Sequence, residues 1–404
     1  MRPSIRLAGI AVIASACVLS GCAREAPDDQ RRPVVETYAD LVLATYEDCL
    51  TSLRALDAAI DALLASPGEA TLATARDRWR ESRIPYSRSE AFRFYAGPID
   101  REGGPEGQIN GWPLDENHID AVLIENYGAA PGLNIIGDPT RFPTITPELI
   151  AEQNEAGGEK NIASGYHAIE FLLWGQDLNV PPESAGQRSY QDYVSAGDAN
   201  SVNARRGAYL KAASTLLIRD MESVAAEWRE PAAGAQNYHS QLVTGDVYTG
   251  LKRMLTGIIT LAEVEMASER MNVPLLSGDQ EEEQSCFSDT SIEDLRANAA
   301  GIESVYFGRY ESPSGKQVSG ASLAQLVREA DPRVADEMEA RLTRTSEALA
   351  AVRSPFDREI QPDNKEGQAR VQAAIDALHA LTPSFTRVAK TLQIFLSPIE
   401  TDGD

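Results

Sequence analysis

From Tyr38 the apolar side chains recur in steps of four and three: Tyr38, Val42, Tyr46, Cys49, Leu53, Leu56, Ile60 and Leu63. That is the period of a helix with one buried face. Ser66-Pro67-Gly68-Glu69 then supplies an N-cap, a proline at the first helical position and an acid three on from the cap. The helix it starts reaches Phe94, and Pro85 is expected to kink or break it. Residues 96–145 lose periodicity and gain Gly and Pro, and a loop of that length in a helical domain is more often functional than idle. Thr146-Pro147-Glu148 starts another helix, ended by Gly157-Gly158. Gly165 and Gly175 bracket a further segment whose apolar side is Ile169, Leu172 and Leu173. Residues 178–200 are a polar excursion before a long amphipathic helix over 202–229, closed by Pro231.

The second half repeats the pattern. A helix is expected over 240–272, stopped near Pro274, then an acidic loop over 275–290 and helices over 291–307, 319–330, 332–352 and 367–396. The expected fold is all-α, and the length exceeds one comfortable core, so two four-helix-bundle-like domains are drawn at 34–235 and 236–404. A faint echo suggests an internal duplication. Aligning Gly175 with Gly308 sets Trp174 on Phe307, Ile169 on Ile302 and Glu170 on Glu303, whereas His167 falls on Ala300.

The N-terminus changes the picture of where the chain works. Arg2 and Arg6 precede a short apolar run from Leu7 to Leu19, too short to span a bilayer, and residues 1–22 read as a signal peptide. Leu19-Ser20-Gly21-Cys22 reads as a lipobox, which makes Cys22 the lipidated first residue; the rival is a plain secretory signal with an incidental Cys. Ala23 after the Cys, by analogy with bacterial lipoproteins, favours the outer membrane. Residues 23–33 are polar and read as a flexible tether. This places the chain in the envelope of a Gram-negative bacterium, facing the periplasm, with the lipid anchor as its sole membrane contact. The net charge of −24 becomes more negative when the signal's arginines leave, which repels nucleic acid and suits the gathering of cations. With Cys17 removed and Cys22 lipidated, Cys49 and Cys286 remain as an even pair in an oxidising compartment, and a disulfide between them is expected.

His167 and Glu170 stand three apart, neighbours on one helix face. A ring nitrogen and a carboxylate one turn apart make half of a transition-metal site if other helices add ligands. The bland reading is a polar pair within the fold. The pattern around them, Gly165-x-His167-x-x-Glu170, resembles the signature of the imelysin family, also called the insulin-cleaving membrane protease family. The stretch Trp79 to Asp100, followed by Gly111-Trp112-Pro113-Leu114-Asp115-Glu116, and a third, Glu283 to Asp289, are similar to its iron-regulated protein A-like branch. The resemblance runs from Val34 to Leu396. It implies a functional site near His167 where the bundles meet.

Glu90, inside the second of those stretches, is the choice for a third ligand; its rival role is a pair with Arg93 or Arg83. Asp115 and Glu116 are candidates from the long loop, against simple loop capping, and Trp112 is a candidate cleft wall. His118 reads as a loop residue, and His239 and His379 as structural or exposed. Such nitrogen and oxygen donors suit iron, zinc or manganese, and the iron-regulated resemblance favours iron. The expected role is binding of iron or another transition metal for uptake, with an outer-membrane receptor or a permease as transport partner. Proteolysis is the rival. A zincin needs H-E-x-x-H, but Ala168 follows His167 and no second His lies within a turn. A metal-free module for an anionic or carbohydrate ligand would draw on Arg83, Arg88 and Arg93.

Overall fold

The computed structural model describes residues 28–123, 134–179 and 184–397. Cys22 and its lipobox lie outside them. The chain runs α1 (Asp28–Ala65), α2 (Glu69–Ser89), α3 (Glu106–Asn110), α4 (Glu116–Ile119), α5 (Pro147–Gln153), α6 (Gly165–Trp174), α7 (Val202–Trp228), α8 (Tyr238–Thr244) and α9 (Val247–Thr260). A π-helical stretch (Leu261–Asn272) follows, then α10 (Val273–Ser277), α11 (Ser291–Phe307), α12 (Leu323–Ala330), α13 (Pro332–Ala351), α14 (Phe356–Ile360), α15 (Lys365–His379) and α16 (Leu381–Thr391). The fold is all-α, as the periodicity predicts.

The α1 stripe is buried as expected, from Tyr38 through Leu63. It packs against α2 and α7, and α6 packs on α7 and α2, which makes one group of four helices. The π-helical stretch, α13, α15 and α16 pack together in the second half, with α11 joining them through α13. The two groups are in contact. α11 also packs along α2, and one contiguous apolar core runs from Val34 to Ile394. The halves are two groups of helices around a shared interior.

Other boundaries shift for local reasons. The tether expected over 23–33 is already helix from Asp28, because Arg31 donates to the Leu392 carbonyl at 3.0 Å and Arg32 to the Val243 carbonyl, tying that turn down. α2 is not broken by Pro85. It is packed on both sides, and the Ser82 hydroxyl takes the Trp79 carbonyl at 2.7 Å, upstream of the ring. The helix expected over 240–272 is interrupted at Gly245 and changes to π geometry after Thr260. That over 319–330 begins only at Leu323, behind a Ser322/Gln325 capping box. A short antiparallel hairpin precedes it, β1 (Arg309–Glu311) on β2 (Gln317–Ser319), with Tyr310 opposite Val318. That over 367–396 is divided at Ala380. No described helix is long and apolar enough to cross a membrane.

Candidate metal centre

α6 begins where no other residue fits. Gly165 has φ +82, and a Cβ there would lie 2.4 Å from the Ile109 carbonyl oxygen at the end of α3. The close approach lets α6 sit inside the molecule, and every residue from Gly165 to Trp174 is buried. The Trp79 indole donates to the Tyr166 carbonyl at 2.9 Å, fixing α2 against this helix.

His167 and Glu170 therefore meet in full burial, 0% exposed, with Nδ1 and Oε2 2.8 Å apart. The other carboxyl oxygen, Oε1, accepts from the Ser288 backbone N–H at 2.9 Å and its hydroxyl at 2.7 Å. Burial pushes the Glu170 carboxyl up to about 8, against the Ser288 donors. Burial and then the Arg83 charge push His167 well below its usual range, so the ring is neutral at neutral pH. Its Nε2 is buried and has no hydrogen-bond partner. Once ionised, the Glu170 carboxylate would accept from Nδ1–H and leave the lone pair on Nε2, which is how metal-binding histidines are commonly held. Both Glu170 oxygens are hydrogen-bonded in this structure, one to the His167 ring and the other to Ser288.

Glu90, the expected third ligand, is engaged by other partners here. Its oxygens accept from Arg270 at 2.7 and 2.8 Å, from Asn298 at 2.7 Å and from Arg93 at 3.1 Å. Burial alone would raise its pKa, but Arg270, Arg93 and Arg83 outweigh that and hold it down to about 2. A carboxylate with four donors has no lone pair left to offer. Arg83 is likewise consumed: it pairs with Asp294 at 2.7 Å, donates to Asn110 at 2.6 Å and lies over the Tyr166 ring. Asp294 also accepts from Ser87 and Ser285. Sequence reasoning missed Asp294, Arg270 and Asn298, none of which lies in a quoted motif, whereas Ser288 falls within the Glu283–Asp289 stretch already singled out.

A cavity of about 560 Å³ opens beside this network, with Trp112 on its wall as expected. Arg93, Asn110 and Arg270 line it too, and through them the cavity touches the Arg83 and Glu90 ion pairs. Glu106, Glu155, Glu159, Glu265, Glu269 and Glu282 outnumber its basic residues Arg93, Lys160 and Arg270. His167 does not line it, and neither do Asp115 and Glu116. Asp115 caps α4 through the Asn117 N–H at 3.0 Å, and Glu116 accepts from Gln176. Arg88 stands apart, donating to the Glu311 carbonyl and lying over Tyr310.

The expected disulfide is absent: Cys49 and Cys286 are both buried free thiols. Cys49 lies in the α1 core, and burial raises its pKa strongly. Burial and then the carboxylates of Glu281, Glu170, Glu116 and Glu283 do the same to Cys286, which keeps it a thiol and a poor nucleophile. His118 bonds the Gln153 carbonyl at 3.0 Å and His379 bonds Glu263 at 2.9 Å, so neither joins the centre.

Residues 42–385 match the family model described as Imelysin. Iron-regulated protein A of Synechococcus elongatus is 25% identical over 382 residues, covering 92% of this chain and 88% of that protein. Among solved structures, an iron-regulated protein A precursor from Parabacteroides distasonis superposes with a TM-score of 0.71 at 23% identity, covering 90% of this chain and 95% of that one. An imelysin-like protein from Psychrobacter arcticum gives 0.57 at 16% identity, over 91% and 98%. Both structural likenesses are of fold.

Proposed function

The chain belongs to the imelysin family, and on that premise we propose that it is a lipid-anchored envelope protein that binds a transition metal, iron first, for uptake, with His167 as the nitrogen ligand. The observation that carries the reading is the His167 ring itself: Nδ1 is fixed by Glu170 while the buried Nε2 has no partner. A buried ring nitrogen without a partner is costly unless something binds it. The charges around it suit a cation in part. Arg83 opposes one and Asp294 favours it. Iron is preferred over zinc and manganese because a relative is named for its regulation by iron.

The neighbouring cleft supports a cationic cargo, since its acids outnumber its bases. The same balance weighs against a polyanionic carbohydrate; of the arginines that would hold one, Arg83 and Arg93 are engaged in ion pairs and Arg88 donates to the Glu311 carbonyl. Peptide hydrolysis has less support. Glu170, the carboxyl group bonded to the ring, is already held by His167 and Ser288 and is poorly placed to activate water. Lipidation at Cys22 and an outer-membrane receptor or permease as partner complete the proposal.

The test is calorimetric titration of the mature chain with ferrous, ferric, zinc and manganese ions, alongside His167→Gln and a peptide-cleavage assay. Micromolar or tighter binding that His167→Gln removes, with no cleavage, is the expected result. Cleavage lost with chelator and with His167→Gln would replace the uptake reading by the peptidase one. Wild-type protein that takes up none of the ions better than about 10 µM, roughly −7 kcal/mol of binding, would end it.

A further inference from the structure

Beyond His167 the molecule carries a second concentration of buried charge, built from three distant segments. Asp177 follows the end of α6, Asp289 precedes α11, and Asp357 lies in α14. Each offers a carboxylate oxygen, and the three oxygens lie within 4.8 Å of one another. The residues are 3%, 9% and 0% exposed. One oxygen of each, Oδ2 of Asp177, Oδ1 of Asp289 and Oδ2 of Asp357, is buried with no hydrogen-bond partner. Glu283 supplies an independent sign: it is 1% exposed, and its oxygens meet no hydrogen-bond partner of good geometry, with only the Ser291 hydroxyl close enough to favour its charged form. After burial, the charges of Asp357 and Asp289 are what most raise its proton affinity, which puts it beside the same cluster.

Four carboxyl groups with unpartnered oxygens in one dry place repel one another, and leaving each lone pair unsatisfied is costly. The asparagine and backbone donors present bind other oxygens: Asn179 takes Oδ1 of Asp177, and the Arg358 N–H takes Oδ1 of Asp357. The remaining oxygens converge, and the charges of Arg80 on Asp289 and of Arg358 on Asp357 offset them only in part, without a hydrogen bond to these oxygens. An all-oxygen set of carboxylates at such spacing is the donor chemistry of a hard divalent ion, and three or four carboxylates with irregular geometry suit calcium better than magnesium, which demands a near-octahedral shell.

We propose that Asp177, Asp289 and Asp357, with Glu283 beside them, form a calcium site distinct from the His167 centre. The site ties the end of α6 to the second helix group. Its Asp289 adjoins Ser288, whose N–H and hydroxyl both hold Glu170. Calcium at this point therefore also fixes the loop that sets the orientation of His167.

The experiment is calorimetric titration of chelator-treated mature protein with calcium, then with magnesium, and thermal melts with and without 1 mM calcium, an amount of roughly 100 times an expected dissociation constant near 10 µM. Binding of one calcium and a higher melting temperature are expected, with magnesium at least tenfold weaker. Asp289→Asn and Asp357→Asn conserve size and remove one charge each; both are expected to lose the calcium shift while melting no lower than wild type without calcium. His167→Gln is expected to keep calcium binding, which separates this site from the transition-metal reading. Wild-type protein whose melting temperature and titration heat do not respond to calcium would overturn the proposal. So would a calcium response that survives both Asn variants.

Discussion

Asp294→Asn probes the interior on which the candidate centre rests. Arg83 and Asp294 are each 1% exposed, and the guanidinium meets the carboxylate at 2.7 Å through Nη2 and at 3.2 Å through Nε. The same carboxylate accepts from Ser87 at 2.9 Å and Ser285 at 2.7 Å, so it joins α2, the Ser285 loop and α11. The substitution keeps the shape, removes the charge and turns one acceptor into a donor facing donors. Removing one partner of a buried pair costs about 3–5 kcal/mol, because the remaining charge is stranded in low dielectric. That is a factor of at least about 100 in the folded-to-unfolded ratio. Guanidinium unfolding followed by circular dichroism would show it as a lower midpoint at unchanged slope. The shared core predicts that both helix groups lose structure in one transition. The variant Arg83→Met/Asp294→Leu is expected to cost less than the two single changes added, by about 1–3 kcal/mol. A loss below about 1 kcal/mol for Asp294→Asn, or additive single changes, would show that the pair is hydrated and that the dry interior described here is wrong.

Gly165→Ala is expected to cost at least about 2 kcal/mol in the same assay, since φ +82 and a 2.4 Å contact with the Ile109 carbonyl leave no room for a methyl group. A near-neutral result would mean that α6 can pull away from α3. Burial and neighbouring acids hold Asp289 up to about 8 in the metal-free chain, far above an unfolded aspartate. The folded state then binds the extra proton, so this stability is present at low pH and is lost as pH rises through about 8. Melting in chelator is therefore expected to fall between about pH 4 and 8 and to level off above that, and less so in Asp289→Asn; an equal fall in both would remove the assignment. Alkylation of unreduced protein is expected to modify Cys49 and Cys286 only after denaturation, and a mass-mapped disulfide between them would contradict the structure.

What the sequence made legible were features set by near neighbours. The α1 stripe needed only its own period, and the α6 glycines and the His167–Glu170 spacing needed only one helix turn. What stayed hidden depended on partners far along the chain. Glu90 reads as a ligand because it lies in the family-like Trp79–Asp100 stretch, and the rival partners the sequence offers are the nearby Arg93 and Arg83, while its strongest partner, Arg270, lies 180 residues away. Asp177, Asp289 and Asp357 share no window, so no local pattern links them. The early start of α1 was missed for the same reason: before Val34 it has no apolar stripe, and Arg31 and Arg32 hold it through carbonyls of the distant second half. The suggested duplication gains one likeness, since α6 and α11 both end at a positive-φ glycine. Glu303, however, is half-buried and bonds Ser346, unlike the fully buried Glu170.

The most direct measurement is X-ray absorption at the iron edge of the mature protein loaded with one equivalent of iron. The chain has 4 histidines, and His118 and His379 already have partners elsewhere. The expected result is an imidazole scattering signature from a single ring in the iron shell, present in wild type and absent in His167→Gln. An oxygen-only shell in wild type, or an imidazole signature that survives His167→Gln, would contradict it.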